Sequence, residues 1–229
     1  MKTDFFEKKE FYKLQNSLCY FFSNINLLTK ALSHPSNKSK NSFQYQRLEF
    51  LGDKILSMII TDQLFKKFPR YSEEFLTKHH NFLVKEITLF KIAKEIGLDK
   101  AIIINKGEEK CGGRNRSSNL ADALESLLGA IYLDSNLLSV EKVVKKFWGC
   151  YISDSDVFIG ENPKSELQEF IQSVSNIFPK YKLINCKGED HNPIFTIKVE
   201  FEGKFGVGIG KSKKLAEEEA ARCLLKQLN

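Results

Sequence analysis

A chain of 229 residues, 42% hydrophobic and with 19 phenylalanines, has the apolar mass for one or two true cores, which excludes intrinsic disorder as its default state. The formal charge of +6 divides into +7 over residues 1–152, −3 over 153–162 and +2 over 163–229, a balance compatible with an anionic partner. No run approaches the roughly 18 apolar residues of a membrane span, the start Met1-Lys2-Thr3-Asp4 lacks an apolar signal core, and the five scattered cysteines form no C-x-x-C pair. The expectation is a cytoplasmic protein with free thiols, no membrane partner and no zinc or disulfide framework.

Helical spacing of Phe5, Phe11, Leu14, Leu18, Phe21 and Phe22 predicts a first helix over 4–22. A short helix over 25–32 follows, stopped by Pro35, and residues 36–42 read as a polar loop. Residues 43–68 read as one long helix ending before Pro69. Ser72 is a good N-cap, with Glu73 and Glu74 in the first turn, for a helix continuing through Phe82, Leu83, Ile87 and Ile92 toward Gly97 as its C′ residue. Residues 101–105 form a short apolar piece and 106–119 a Gly-rich charged loop. Asn119 or Ser118 can cap a helix over 120–133, and 140–152 closes an all-α first part.

Residues 153–161 are acidic and polar and read as a linker. Asn162-Pro163 then opens a helix to about Ser175. A strand is expected at 181–186. From Ile194 to Phe201 the alternation is strict, with Phe195, Ile197, Val199 and Phe201 on one face. Glu202-Gly203-Lys204 reads as a turn into a third strand carrying Phe205, Val207 and Ile209, and Ser212 caps a last helix. The order of this second part is α-β-β-β-α. The expected domains are therefore 1–152, all-α, and 162–229, α+β.

Two acidic pairs stand out. Glu49 and Asp53, in Gln46-Arg47-Leu48-Glu49-Phe50-Leu51-Gly52-Asp53, are four apart on one face of the long helix, amid Leu48, Phe50, Leu51, Ile55 and Leu56. Asp122 and Glu125 repeat the arrangement at a spacing of three, among Leu120, Ala121, Ala123 and Leu124. Helix packing would converge four carboxylates, which must then raise their own pKa values or hold a cation. Hard divalent cations prefer such oxygen ligands, and the chemistry suited is metal-assisted phosphodiester hydrolysis.

The segment 47–53 closely resembles the signature of ribonuclease III, a bacterial endonuclease of double-stranded RNA. The fragment around Asp122 and Glu125 resembles that family's second acidic motif, and the tail resembles its double-stranded-RNA-binding domain. The resemblance implies a homodimer whose subunits each cut one strand of the RNA duplex, a Mg²⁺ cofactor with Mn²⁺ as a substitute, and the processing of ribosomal RNA precursors and structured transcripts. It makes Glu49, Asp53, Asp122 and Glu125 the metal-site carboxylates, with Asp53 and Glu125 indispensable. It aligns Glu73 with an acid reaching the partner's active site, and Phe50 with an aromatic knob at the dimer junction. In the tail it assigns minor-groove contacts to Ser165, Gln168 and Glu169, and a loop contact to His191. Lys211, Ser212, Lys213 and Lys214 sit where a helix start forms an anion site; cations there oppose the helix dipole unless a phosphate is present. Glu217, Glu218 and Glu219 are expected on the solvent side. One position departs from the pattern: the family signature opens with Glu, and this chain has Gln46. The expectation is that the four other acids suffice. The alternative is a duplex-RNA-binding protein with an impaired nuclease half.

Overall fold

The computed structural model describes residues 2–37, 42–153, 163–175, 177–188 and 193–228. The linker expected at 153–161 lies, past Ser153, outside them, as do the Asn162 cap and His191. Contacts group the chain into two compact units, Met1–Gln63 with His80–Gly149 and Leu64–His79 with Cys150–Asn229. The residues around the end of the long helix thus group with the tail.

The helices run in the order α1 (Lys2–Leu18), α2 (Ile25–Leu32), α3 (Ser42–Lys67), α4 (Glu73–Val84), α5 (Glu86–Glu95), α6 (Leu98–Ala101), α7 (Lys106–Lys110), α8 (Ser117–Asp134) and α9 (Leu137–Ser153). The first unit is helical among its described residues, apart from a single β-bridge between Ser33 and Ile103. α8 lies at its centre: Leu120, Ala123, Leu124, Leu127, Leu128, Ala130 and Ile131 are all buried. Trp148 of α9 is fully buried and donates its indole N–H to the Leu83 carbonyl at 3.0 Å, so the aromatic body packs without stranding its polar atom.

Four expectations change here. The first helix, expected over 4–22, ends at Leu18, because Cys19 takes a left-handed conformation (φ 53°). The single helix expected from Ser72 to Gly97 is two, broken at Lys85, whose backbone is extended (φ −68°, ψ 151°). The Thr88 hydroxyl bonds the Phe82 carbonyl at 2.8 Å, satisfying an acceptor that the break would otherwise expose. Ser72 does cap α4, accepting from Phe75 N–H at 3.3 Å, and Gly97 takes the left-handed conformation (φ 79°) expected of it. The loop at 106–119 contains α7, capped by Asn105, which accepts from Glu108 N–H at 2.8 Å. α8 starts at Ser117, so Asn119 is inside it rather than its cap.

The tail is α10 (Pro163–Val174), β1 (Tyr181–Lys187), β2 (Ile194–Phe201), β3 (Lys204–Gly210) and α11 (Lys213–Leu228). The strands form one antiparallel sheet in chain order, with an irregularity between Leu183 and Asn185. Ile197, Val199 and Phe201 face the core with Leu167, Phe170, Ile171, Ala216, Ala220, Leu224 and Leu225. Gly206 and Gly208 pair with Val199 and Ile197. Their missing side chains let α11 lie against β3: a Cβ on either would overlap the helix backbone at Ala220 or Ala216.

Candidate metal centre and nucleic-acid face

The acidic pairs meet because two glycines let α3 and α8 cross almost backbone to backbone. A Cβ on Gly52 would overlap the Glu125 carbonyl, and one on Gly129 the Leu48 carbonyl. Gly52 stands beside Asp53, and Gly129 is one turn after Glu125. Leu48 and Leu56 bury the core side of α3, which turns the 49/53 face toward the 122/125 face of α8.

At the crossing, carboxylate oxygens of Glu49, Asp122 and Glu125 all lie within 4.8 Å of one another, each side chain half-buried. Burial pushes the Glu125 carboxyl up to about 8, helped by the charges of Asp53, Asp122 and Glu49 against an opposing Lys54. Burial likewise raises Glu49, with Asp122 and Asp53 adding to it. Asp122 is raised by burial and by Glu86, against His34. An all-oxygen set that repels its own full charge fits a hard divalent cation such as Mg²⁺ or Mn²⁺. Asp53, the fourth expected member, is turned to the Lys54 ammonium at 2.8 Å and is more exposed; its charge nonetheless acts on Glu49 and Glu125.

Three groups beside the acids escaped the sequence reading. Tyr45 lies one turn before Glu49 and is 1% exposed, its hydroxyl without a hydrogen-bond partner among the described residues. His34 accepts the Ser36 N–H on Nδ1 at 3.1 Å, and burial lowers its pKa. Asn119, buried at the start of α8, donates to Glu108 and to the Gly113 carbonyl, both at 3.0 Å, pinning the 106–116 segment there. The available signal was a polar residue on a buried helix face, visible for Tyr45 from its spacing of four to Glu49.

Gln46 is exposed. Phe50 is 67% exposed, with the Lys54 ammonium 6.0 Å from its ring centroid. Glu73 belongs to the other unit, in the first turn of α4, where it accepts from the Thr77 hydroxyl at 2.8 Å.

In the tail, one surface pocket is lined by Lys164, Ser165, Gln168, Phe178, Pro179, Tyr181, Lys214 and Glu218. It gathers Ser165 and Gln168 of α10 with Lys214 of α11. Ser212 caps α11, accepting from Leu215 N–H at 3.2 Å, and leaves Lys211, Lys213 and Lys214 exposed at the helix start. Glu169 is engaged by Lys78 at 3.4 Å within the same unit. Glu217, expected to face solvent, is paired with Lys164. That contact links α10 to α11.

Comparison with known proteins agrees with this architecture. A family model described as "Ribonuclease-III-like" matches residues 24–149, and one described as "Double-stranded RNA binding motif" matches 163–228. A protein named Ribonuclease 3 from Ehrlichia canis is 42% identical over 218 residues, covering 94% of this chain and 96% of that one. Its counterpart from Rickettsia typhi is 39% identical over 224 residues, covering 96% and 98%. Among solved structures, the nuclease domain of a ribonuclease III from Campylobacter jejuni is 36% identical and superposes with a TM-score of 0.58, over 62% of this chain and 96% of that one. A second structure of that domain, whose subject is flexibility in the region involved in dimer formation, is 38% identical with a TM-score of 0.56, over 60% and 97%.

Proposed function

The chain belongs to the ribonuclease III family, and from that premise we propose a divalent-cation-dependent mechanism for an endoribonuclease of double-stranded RNA. The observation that carries the proposal is the convergence of Glu49, Asp122 and Glu125 at the Gly52–Gly129 crossing. These three acids hold Mg²⁺, or Mn²⁺ in its place, with Asp53 as a fourth ligand one turn along α3. When bound, the cation lowers the pKa of a water and offsets charge on the attacking and leaving oxygens of the phosphodiester. Glu125, whose carboxyl burial raises, would ligate the cation only in its ionised form, so that loading would pass its proton to solvent. The rigid helix crossing sets the spacing of the ligands in advance.

The tail brings the duplex to the site. Lys211, Lys213 and Lys214 meet backbone phosphates at the start of α11, while Ser165 and Gln168 face the minor groove, where A-form RNA exposes its 2′-hydroxyls. His191 is kept as a loop contact and Glu73 as an acid completing the partner's site, both from the family resemblance.

A homodimer is the assembly we favour. Phe43, Phe50 and Met58 are 64%, 67% and 51% exposed, and their spacings of seven and eight place them in one apolar stripe along α3. Dimer formation in the related Campylobacter domain supports the same reading. Ribosomal RNA precursors and structured transcripts in the cytoplasm are the proposed natural substrates. Among the described residues no helix is long and apolar enough to cross a membrane. The binding-only alternative rests on Gln46, and the presence and convergence of Glu49, Asp122 and Glu125 weigh against it.

The test is cleavage of a duplex RNA with Mg²⁺ by the wild type and by Glu125→Gln. Cleavage should fall by more than about 100-fold, beyond the usual cost of losing a group outside the metal's own ligands, while duplex binding stays unchanged. Full cleavage by the variant would refute the assignment.

A further inference from the structure

Tyr45 is a buried polar side chain beside the carboxylates to which the reaction above gives no task. Its position is well defined. The ring meets His34 edge to face at a centroid distance of 6.0 Å and an angle of 74°. Its backbone carbonyl accepts from the Ser126 hydroxyl at 3.4 Å, across the same helix crossing that assembles the site. Its hydroxyl, unpartnered among the described residues, lies in the field of Asp122, Glu49 and Glu125. Burial and those three charges hold the phenol neutral well above the ordinary range for tyrosine. An unpartnered hydroxyl is a poor choice for a core position that phenylalanine would fill equally well. Beside ionised carboxylates, which only accept hydrogen bonds, a neutral phenol supplies a donor without competing for a cation. Metal-ligating carboxylates are in turn hydrogen-bonded by groups behind them.

We propose that Tyr45 is a positioning residue of the metal centre: its hydroxyl donates to the oxygen shell of Glu49, Asp122 and Glu125 when that cluster holds a divalent cation, fixing the orientation of the ligands. This rests on the reading of the three acids as a cation site.

The test is titration calorimetry of Mn²⁺ into the full chain without RNA, comparing wild type, Tyr45→Phe and Glu125→Gln, with circular dichroism and melting temperature recorded for each. Tyr45→Phe keeps the ring against His34 and removes only the hydroxyl. It should retain the wild-type spectrum and bind Mn²⁺ about tenfold more weakly, the range found for partners behind metal ligands. In duplex cleavage its half-saturating Mg²⁺ should rise by the same factor, with the rate recovering at saturating Mg²⁺. A Tyr45→Phe protein with wild-type Mn²⁺ affinity and a higher melting temperature would make the hydroxyl a mere unpaired core group and overturn the proposal. Weak Mn²⁺ binding lost in Glu125→Gln but unmoved in Tyr45→Phe sinks the Tyr45 role alone. Mn²⁺ binding unchanged in Glu125→Gln sinks the cation-site reading and the Tyr45 role with it.

Discussion

The α3–α8 crossing and the start of α11 both crowd like charges, and burial makes them behave in opposite ways. At the crossing, three half-buried acids lie within 4.8 Å of one another, and burial first, then neighbouring negative charge, raises the pKa values of Glu125 and Glu49. At α11, Lys211, Lys213 and Lys214 are exposed, and water screens their mutual repulsion. Cations at that helix start oppose the helix dipole, a cost that a bound polyanion would offset. On the proposed reading, the buried cluster takes a compact cation by geometry, whereas the exposed one takes closely spaced phosphates through charge. On the proposed reading, Ser165 and Gln168, which line a pocket with Lys214, supply the specificity for the duplex.

The contrast can be broken most severely at the glycines. Gly129→Ala places a methyl group into the Leu48 carbonyl, a backbone atom that cannot step aside. Overpacking of this kind costs about 3 kcal/mol at the upper end of its usual range, and separating the helices also pulls the acids apart. The expected result is a lower melting temperature together with lost cleavage. A stable, active Gly129→Ala protein would show that the close crossing does not set the site.

A smaller effect is expected at the lysines. Lys213→Ala with Lys214→Ala should weaken duplex binding uniformly across sequences and reduce the slope of log affinity against log salt by about two, one for each phosphate that no longer meets a cation. Melting temperature should hold or rise slightly, since cations leave a helix N-terminus. An unchanged salt slope would place the phosphates elsewhere.

An effect confined to the metal-free protein is the pH dependence of its stability. The folded Glu125 carboxyl titrates near 8 and an ordinary glutamate near 4.5, so between those values the native state holds more protons than the unfolded one. Stability from this group then falls as pH rises through that window. Melting temperatures across pH 5–8 should decline for the metal-free wild type and decline less for Glu125→Gln. Parallel curves would deny the raised pKa.

Much of this fold is legible from spacing. The strict alternation in β2, the cap at Ser212 and the long helix α3 are local features, and they appear where periodicity and capping place them. The four acids were also visible, because carboxylates at helical spacing inside apolar sequence conflict with burial. What stayed hidden depends on particular contacts rather than on spacing. The break at Lys85 is stabilised by a Thr88–Phe82 bond that propensity cannot foresee. Gly129 reads as a weak helix residue until α3 is laid against it. The pairing of Asp53 with Lys54, rather than with the other three acids, is a choice of rotamer, on which spacing is silent.

The central claim is that the cation replaces a proton in the carboxylate cluster. Titration calorimetry of Mn²⁺ at pH 7, repeated in buffers of different ionisation enthalpy, counts the protons released on binding. The wild type should release a substantial fraction of one proton at pH 7 and progressively less toward pH 9, as Glu125 ionises beforehand. Mn²⁺ binding at pH 7 with no proton release would contradict the account.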